Sequence, residues 1–152
     1  MKTTINKNGF IQINIVVKDI ETAARKWADL LGIGVPGIHR GHLEGSKEYS
    51  YEYRGEDTPS DLLVCNIDMG GFVIELHQPV GGSSSFQEFL DRHGNGVHHL
   101  GFEVGDTRDE LIRELEEEGY GLRTVGYYPG SSWTIVDTEE ELGVNLNIKP
   151  VR

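Results

Sequence analysis

"QINIVVKDIETAARKWADLLG" at residues 12–32 and "HLGFEVGDTRDELIRELEEEG" at residues 99–119 repeat one pattern. Gln12 aligns with His99, 87 positions later, and the glycines that end the two copies align at the same separation. Each copy begins with alternating apolar residues and continues with apolar residues at helical spacing. This succession, closed by a glycine, is typical of a strand followed by a helix and its left-handed C-terminal residue. The chain is therefore predicted to contain two modules that both begin strand–helix.

Three further segments of strand character follow each helix. They are "KEYSYEYR", "SDLLVCNID" and "GFVIELHQP" in the first copy, and "GLRTVGYY", "SWTIVDT" and "GVNLNIKP" in the second. Glu75 aligns with Asn147 at a separation of 72, so the second copy has connections 15 residues shorter. The pattern predicts a single domain of the α+β class. Two tandem β-α-β-β-β modules, about 9–79 and 96–150, have curled mixed sheets that enclose a concave site, with the helices outside.

The segment between the modules, residues 80–95, is expected to contain a short helix and to act as a tether. Ser85 and Glu88 have the spacing of a capping pair for this helix. Caps are also predicted at the two module helices. Asp19 is the predicted cap of the first, and the second has two candidates: Asp106, which aligns with Asp19, and the capping box of Thr107 with Glu110 one residue later.

The composition excludes several classes of partner. Twenty-five acidic and 14 basic residues give a formal net charge of −11, which repels phosphate backbones and anionic lipid head groups. The first residues lack the apolar core of a signal peptide, and no segment approaches the roughly 20 apolar residues of a membrane span. Cys65 is the single cysteine, which suits a reducing compartment. We expect a cytoplasmic protein that binds neither nucleic acid nor membranes.

Strand parity predicts which polar side chains face the concave side, because alternate side chains lie on opposite faces of a sheet. Ile13, Ile15 and Val17 must cover the helix, so Gln12 and Asn14 face away from it. One polar residue on an open sheet face is usually only solvated. Four ligand-capable side chains at equivalent places in two modules can form one metal site: Gln12, Glu75, His99 and Asn147.

By the same parity, the two histidines of "GVHHLGFEV", residues 96–104, separate. His99 is expected on the polar concave face, whereas His98 is expected on the helix side or at the strand edge.

Four segments carry a resemblance to a known family: "IVVKDIETAARKWADLLGIG", "FVIELHQP", "GVHHLGFEV" and "IVDTEEELGVNLNI". They lie where the vicinal oxygen chelate superfamily, which includes glyoxalases, bleomycin-resistance proteins and extradiol dioxygenases, places its paired modules. The resemblance covers essentially the whole chain. Within the superfamily, "GVHHLGFEV" is most similar to methylmalonyl-CoA epimerases, and "VDTEEELGV" resembles lactoylglutathione lyase-like proteins. The resemblance implies a small-molecule substrate and a homodimer.

The resemblance also implies a metal ligand on each of four strands. Gln12, Glu75 and His99 match three of these positions, where the family has His or Gln, Glu, and His. The last strand of the family usually supplies a Glu that binds the metal and acts as the base. This chain has Asn147 at that position, so it departs from the family at the catalytic base.

One imidazole, one carboxylate and two amide oxygens suit a single divalent ion such as Mn, Co, Ni, Zn or Mg. That ion would polarise a carbonyl or enolate oxygen bound at one of its open coordination positions. Because only Glu75 carries a negative charge, affinity should be lower than at a site with two carboxylates.

An amide cannot accept the proton alpha to a carbonyl, so Glu75 must serve as both ligand and base, or another group must reach the substrate. His77 and Glu103 have the parity for this role, although each can equally be a surface residue. Asn14, Tyr127 and Trp133 are further candidates for the substrate pocket. His39 and His42 lie in the glycine-rich "GIHRGHLEGS", where solvated loop histidines are the default.

The leading hypothesis is a metal-dependent isomerase, epimerase or lyase that acts on a carbonyl compound. The resemblance suggests an acyl-CoA or a thiohemiacetal as the substrate. The scattered cations available for phosphates are Arg40, Lys47, Arg54, Arg92 and Arg123. The alternative is a metal-free small-molecule binding or resistance protein, which Asn147 favours. A ring-cleaving dioxygenase prefers two histidines and one carboxylate on iron, which Gln12 does not match.

Overall fold

The computed structural model describes residues 1–41 and 50–150. The strands are β1 Phe10–Val16, β2 Ile38–Arg40, β3 Ser50–Tyr53, β4 Glu56–Asp57, β5 Ser60–Asp68, β6 Val73–Gly82, β7 Gly96–Glu103, β8 Leu122–Tyr128, β9 Ser131–Val136 and β10 Asn145–Lys149. The helices are α1 Ile20–Leu31, α2 Ser85–His93, α3 Arg108–Glu117 and α4 Glu139–Leu142. The strands form one curled, mixed sheet in the order β2-β5-β6-β1-β7-β10-β9-β8-β3-β4. The predicted α+β class is confirmed.

The two halves of the sheet meet at β1 and β7, which pair antiparallel. Each of these strands also pairs in parallel with the last strand of its own module, β1 with β6 and β7 with β10. Gln12 lies opposite Val73, and His99 lies opposite Asn145. Val73 and Asn145 are 72 positions apart, so the pairing reproduces the offset of the sequence repeat.

Strands β2 and β3 depart from the predicted order of strands in the first module. The segment predicted as the second strand of the first module contributes β3, which pairs with β8 of the second module. β5 pairs with β6 on one side and on the other side with β2, which lies within the predicted glycine-rich loop. His39 therefore lies in a strand, whereas His42 falls outside the described residues. β2 and β3 lie near opposite ends of the strand order, yet Gly41 would place a Cβ 3.6 Å from the Tyr51 hydroxyl. The sheet is curled enough to bring its two edges together.

Two helices cover the convex face of the sheet. Ile15 and Val17 of the first module pack with Ile20 and Ala24 of α1. Leu100, Phe102 and Val104 of the second module pack with Leu111 and Leu115 of α3. This packing confirms the parity of the first strand in each module. No helix among the described residues has both the length and the apolar character needed to cross a membrane.

The third helix, α2, lies on the other face of the sheet. Its Phe86 and Phe89 pack with Val16, Leu62 and Val64, whose side chains point away from α1. The expectation that residues 80–95 act only as a tether is therefore wrong, since this helix closes one end of the concave face. The cap of α2 also differs, because Ser84 rather than Ser85 accepts the hydrogen bond from the Gln87 amide.

The caps of α1 and α3 differ from each other. Asp19 caps α1 by accepting a hydrogen bond from the Thr22 amide. Thr107, at the start of α3, makes no side-chain capping bond. It closes a 3₁₀ turn, Gly105–Thr107, with φ −84° and ψ 0°, and its hydroxyl donates back to the Val104 carbonyl. The predicted capping box is absent because an N-cap needs extended backbone at this position.

Candidate functional site

The four predicted ligand residues line one cavity on the concave face. Gln12 on β1, Glu75 on β6, His99 on β7 and Asn147 on β10 all border a space of about 190 Å³. Gln12, His99 and Asn147 are 6%, 1% and 5% exposed. The structure therefore brings together the side chains that strand parity placed on this face.

Gly101 makes room for the Gln12 side chain. It lies directly opposite Gln12, and a Cβ on Gly101 would approach Gln12 Oε1 to 2.8 Å. Gly126 has the same relation to Trp133, because a Cβ there would overlap the indole ring. These two glycines allow the larger partner side chains to lie across them.

A β-bulge in β7 decides where His98 points. Asn14 lies opposite His99 and Ile15 lies opposite Val97, so His98 is the extra residue. A bulge can redirect a side chain that strict alternation would send to the other face. His98 Nδ1 lies 2.9 Å from His99 Nδ1, and the His98 ring packs on Phe86 of α2 with centroids 4.6 Å apart. The expectation that His98 faces the helix side or the strand edge is wrong.

The hydrogen bonds around His99 assign its protons. Gln12 Oε1 accepts from Asn147 Nδ2 at 3.4 Å and lies 3.1 Å from His99 Nε2. Because an amide oxygen only accepts, His99 Nε2 carries the hydrogen, and its Nδ1 accepts from His98 Nδ1. Burial lowers the pKa of His98 to about 3, and burial likewise lowers the pKa of His99. Both rings are neutral at physiological pH, as a metal-binding imidazole must be.

Glu75 supplies the negative charge of the site. Its Oε1 accepts hydrogen bonds from Asn14 Nδ2 at 3.1 Å and from His77 Nε2 at 3.0 Å. Burial by itself raises the pKa of this carboxyl, but the charge and hydrogen bond of His77, with Lys149 and Asn14, outweigh it. The pKa of Glu75 therefore lies below its usual value, and the group is ionised at neutral pH.

The chemistry of the donor atoms and the spacing of two of them suit one divalent ion. Two atoms bound to one ion at about 2.1 Å and at right angles are about 3.0 Å apart, and Gln12 Oε1 and His99 Nε2 are 3.1 Å apart. To bind an ion through Nε2, His99 would have to carry its hydrogen on Nδ1 and donate it to His98 Nδ1. The buried Asn147 Oδ1 has no hydrogen-bond partner, so its lone pairs are free. Among residues 1–41 and 50–150, no three His, Cys, Asp or Glu side chains are grouped closely enough to hold a metal. An ion here would therefore need amide oxygen ligands in addition to Glu75 and His99.

An apolar wall faces the polar ligands, and parity analysis found only part of it. Trp133 was predicted to line the pocket and does so, as does His77. Phe86 of α2 also borders the cavity, with its ring centroid 4.8 Å from that of His77 and 6.0 Å from that of Trp133. The sequence signal for Phe86 was the amphipathic spacing of the helix in residues 80–95. Further lining residues come from β2, β3 and β5: His39, Gly41, Tyr51, Leu62, Val64 and Asn66.

Three predicted pocket residues lie elsewhere. Asn14 is fully buried beneath Glu75, to which it donates, and does not border the cavity. Glu103 lies at the end of β7 beside the N-terminal segment near Asn8. Tyr127 is 39% exposed on β8. Glu103 is separated from the site by distance along the strand. Tyr127 lies on the other face of the sheet, because its neighbour Gly126 is the residue that pairs with the cavity residues Tyr51 and Trp133.

The arginines considered for phosphate binding are already paired with carboxylates. Arg123 is 6% exposed and lies 2.9 Å from Asp137 and 3.0 Å from Glu139. Arg54 and Arg92 both contact Glu88, and Arg40 contacts Asp61. Lys47 lies outside the described residues. Among the arginines in the described part of the chain that were candidates for a CoA phosphate, each therefore has a competing acidic neighbour.

The fold is similar to those of several solved structures. A hypothetical protein from Bacillus halodurans C-125 matches with a TM-score of 0.60 and 20% identity, over 91% of this chain and 91% of that chain. Methylmalonyl-CoA epimerase from Mycobacterium tuberculosis matches with a TM-score of 0.59 and 22% identity, over 100% of this chain and 94% of that chain. A variant of the Streptomyces coelicolor methylmalonyl-CoA epimerase in complex with 2-nitronate-propionyl-CoA matches with a TM-score of 0.51 and 19% identity, over 95% of this chain and 96% of that chain.

These identities are low, so the likeness to solved structures shows the fold alone. A search of curated protein sequences found no match. The family model described as the glyoxalase/bleomycin resistance protein/dioxygenase superfamily matches residues 11–136, which is most of the chain. The resemblance of the sequence segments to this superfamily is thereby confirmed. The chain belongs to the glyoxalase/bleomycin resistance protein/dioxygenase superfamily.

Proposed function

We propose that this protein is a metal-dependent isomerase or epimerase, or a lyase, that moves a proton alpha to the carbonyl of a small metabolite. One observation carries the proposal: an ionised carboxylate, a neutral imidazole and two amide groups border one concave cavity. The methylmalonyl-CoA epimerases of the same fold support an epimerase-type reaction. An acyl-CoA or a thiohemiacetal remains the proposed class of substrate.

Gln12, Glu75, His99 and Asn147 would hold the ion. When bound, the ion would supply Lewis-acid stabilisation of negative charge on a carbonyl or enolate oxygen. Glu75 is the proposed base, because it is ionised and because both of its hydrogen bonds from Asn14 and His77 go to Oε1. Those bonds orient the carboxylate, and Oε2 is left for the substrate proton or for the ion. His77, which also borders the cavity, is the alternative base.

The remaining side chains position the substrate and exclude water. Phe86 and Trp133 border the same cavity and would shield a reacting carbon from solvent. Asn147 cannot take the proton, so it serves only as an oxygen donor. The homodimer implied by the family is part of the same proposal, and light scattering on the purified protein measures it.

The experiment that tests the function is a titration of chelator-treated protein with Mn, Co, Ni, Zn and Mg, followed by melting temperature. We expect one ion per chain to raise the melting temperature, and we expect His99→Ala to abolish this shift. Deuterium wash-in at a carbonyl compound, followed by mass spectrometry, then measures proton transfer. A melting temperature that no ion changes would contradict the proposed metal site.

The second candidate is a metal-free protein that binds a small molecule between its modules. The hydrogen bonds from His99 and Asn147 to Gln12 Oε1 favour it, because they give Gln12 Oε1, His99 Nε2 and Asn147 Nδ2 partners without an ion. Metal content of protein purified without chelator separates the two candidates. Ligand binding that is unchanged by chelator, together with the absence of bound metal, would support this second function.

A further inference from the structure

A second cavity adjoins the first and shares residues with it. It has a volume of about 480 Å³ and lies where the β5–β6 turn meets the start of β1 and the end of β10. Gln12, Asn66, Glu75 and Lys149 border both cavities. Ile11, Phe72 and Val73 give the second cavity apolar surface. A ligand with its reacting group at Glu75 can therefore extend into this second space.

Lys149 occupies the junction of the two cavities. It is half-buried on β10, two residues after Asn147, and so has the same strand parity as Asn147. Among the described residues that border either cavity, it is the one lysine or arginine. Strand register and cavity position together place a fixed positive charge beside the reacting groups.

The ammonium group of Lys149 has no ion-pair partner in the described part of the chain. No described carboxylate, including its cross-strand neighbour Glu103, lies within 4.0 Å of it. In contrast, Arg40, Arg54 and Arg123 all contact carboxylates. A half-buried cation with no described carboxylate within 4.0 Å can bind an anion that enters the cavities.

We propose that Lys149 binds a carboxylate of the substrate, so that the protein selects small carbonyl compounds that carry a negative charge. The inference rests on the proposed function for the position of the carbonyl at Glu75 and His99. The carboxylate would lie at the junction of the cavities, and an apolar substituent would extend toward Phe72 and Val73. The charge of Lys149 also reaches the reacting groups, since it helps to lower the pKa of Glu75.

The test compares a charged ligand with its neutral methyl ester. Acetoacetate and methyl acetoacetate share a carbonyl group, but the ester is neutral. Dissociation constants are measured by NMR titration of chelator-treated protein, so the result depends on neither bound metal nor catalysis. We expect the wild type to bind acetoacetate about tenfold more tightly than the ester, the size of effect typical of one charge-assisted hydrogen bond.

Variants of Lys149 decide whether this side chain causes the preference. Lys149→Gln and Lys149→Met should bind both ligands equally, whereas Lys149→Arg should keep the preference. Lys26→Gln, on the exposed face of α1, removes the same charge far from the cavities and should behave as the wild type. Melting temperatures establish that each variant is folded. Two neutral variants are used so that one remains available for the test if the other does not fold.

The proposal is overturned if the preference survives in both folded neutral variants, or if the wild type shows no preference. Failure of the metal proposal is separable, because it appears as an absent metal-induced melting shift while the preference for acetoacetate persists. That combination would support anion recognition by Lys149 in the metal-free binding protein.

Discussion

On β6 of the first module, the concave face carries Glu75, whose Oε1 accepts hydrogen bonds from Asn14 and His77. At the equivalent place on β10, the second module carries Asn147, whose Oδ1 has no partner. The backbone register around the two residues is the same, since each lies on a strand paired in parallel with the first strand of its module. The comparison teaches that the repeat preserves position, whereas the charge and the proton acceptor belong to one module.

The accessory residues show the same asymmetry. In the first module, Asn14 and His77 both contact Oε1 of Glu75 and orient its carboxylate. In the second module, the position equivalent to Asn14 is Gly101, which leaves room for Gln12. The bulge then brings His98 against His99. One module thus orients a base, and the other orients an imidazole.

The largest expected effect follows from removing the single carboxylate. Glu75→Gln keeps the size of the side chain but removes the charge and the proton acceptor. We expect the rate of alpha-proton exchange to fall by about 10²–10⁴-fold, measured by deuterium wash-in. Glu21→Gln, which removes a charge on the exposed face of α1, is the matched control and should keep the wild-type rate. Rapid exchange in Glu75→Gln would place the base elsewhere, with His77 next to be tested.

The converse change makes the second module resemble the first. Asn147→Glu adds both a charged oxygen ligand and a base to β10. We expect tighter binding of divalent ions and a gain in exchange of up to about 10²–10⁴-fold if no efficient base is already present. Calorimetric titration and mass spectrometry measure these two quantities. An ion affinity that does not rise would show that this side chain lies outside the coordination shell.

A smaller effect is expected at His98, where the two modules differ through the bulge. His98→Phe retains packing against Phe86 and Phe89 but removes the hydrogen bond to His99. Loss of a group that orients a metal-bound histidine typically weakens metal binding by about 10–100-fold. Calorimetric titration measures the affinity, and His98→Asn tests whether another hydrogen-bonding side chain restores it. If His98→Phe binds metal ions as tightly as the wild type, His98 serves only in core packing.

The smallest expected effect concerns the helix caps. Asp19→Ala removes a side-chain cap of α1, whereas Thr107→Ala at α3 removes no capping bond. We expect Asp19→Ala to lower the melting temperature by about 2–4 °C, and Thr107→Ala to lower it less. Scanning calorimetry of the two variants and the wild type gives these values. Equal losses would contradict the capping difference.

The cap also predicts a pH dependence. Hydrogen bonds from the Thr22 hydroxyl and amide lower the pKa of Asp19 below 3.8. The cap therefore contributes stability above the pKa of the unfolded chain and loses that contribution as pH falls through the lower folded pKa. We expect the difference between the wild type and Asp19→Ala to persist at pH 7 and to shrink below pH about 4. A difference that is constant with pH would show that the carboxylate charge is irrelevant.

Sequence alone was sufficient for the repeat and for the faces of the paired strands. The separations of 87 and 72 positions set equivalent places, and alternation set the inward direction of Gln12, Glu75, His99 and Asn147. Both properties are local, because the pleat of a strand and the turn of a helix depend on neighbours in sequence. For the same reason, the packing of α1 and α3 on the convex face was predictable.

Tertiary structure decided the features that depend on residues distant in sequence. The bulge at His98 arises where β7 pairs with β1, a strand almost 90 positions earlier in the chain. The local periodicity of the sequence does not reveal it. β3 comes from the first half of the chain but pairs with β8 of the second module. α2 packs on the concave face because Val16, Leu62 and Val64 offer apolar surface there. Arg123 can be buried because three carboxylates lie around its guanidinium group. They come from α2, from the end of β9 and from α4: Glu88, Asp137 and Glu139. Sequence periodicity reports the face on which a side chain lies, but only contacts between distant segments determine which side chains meet there.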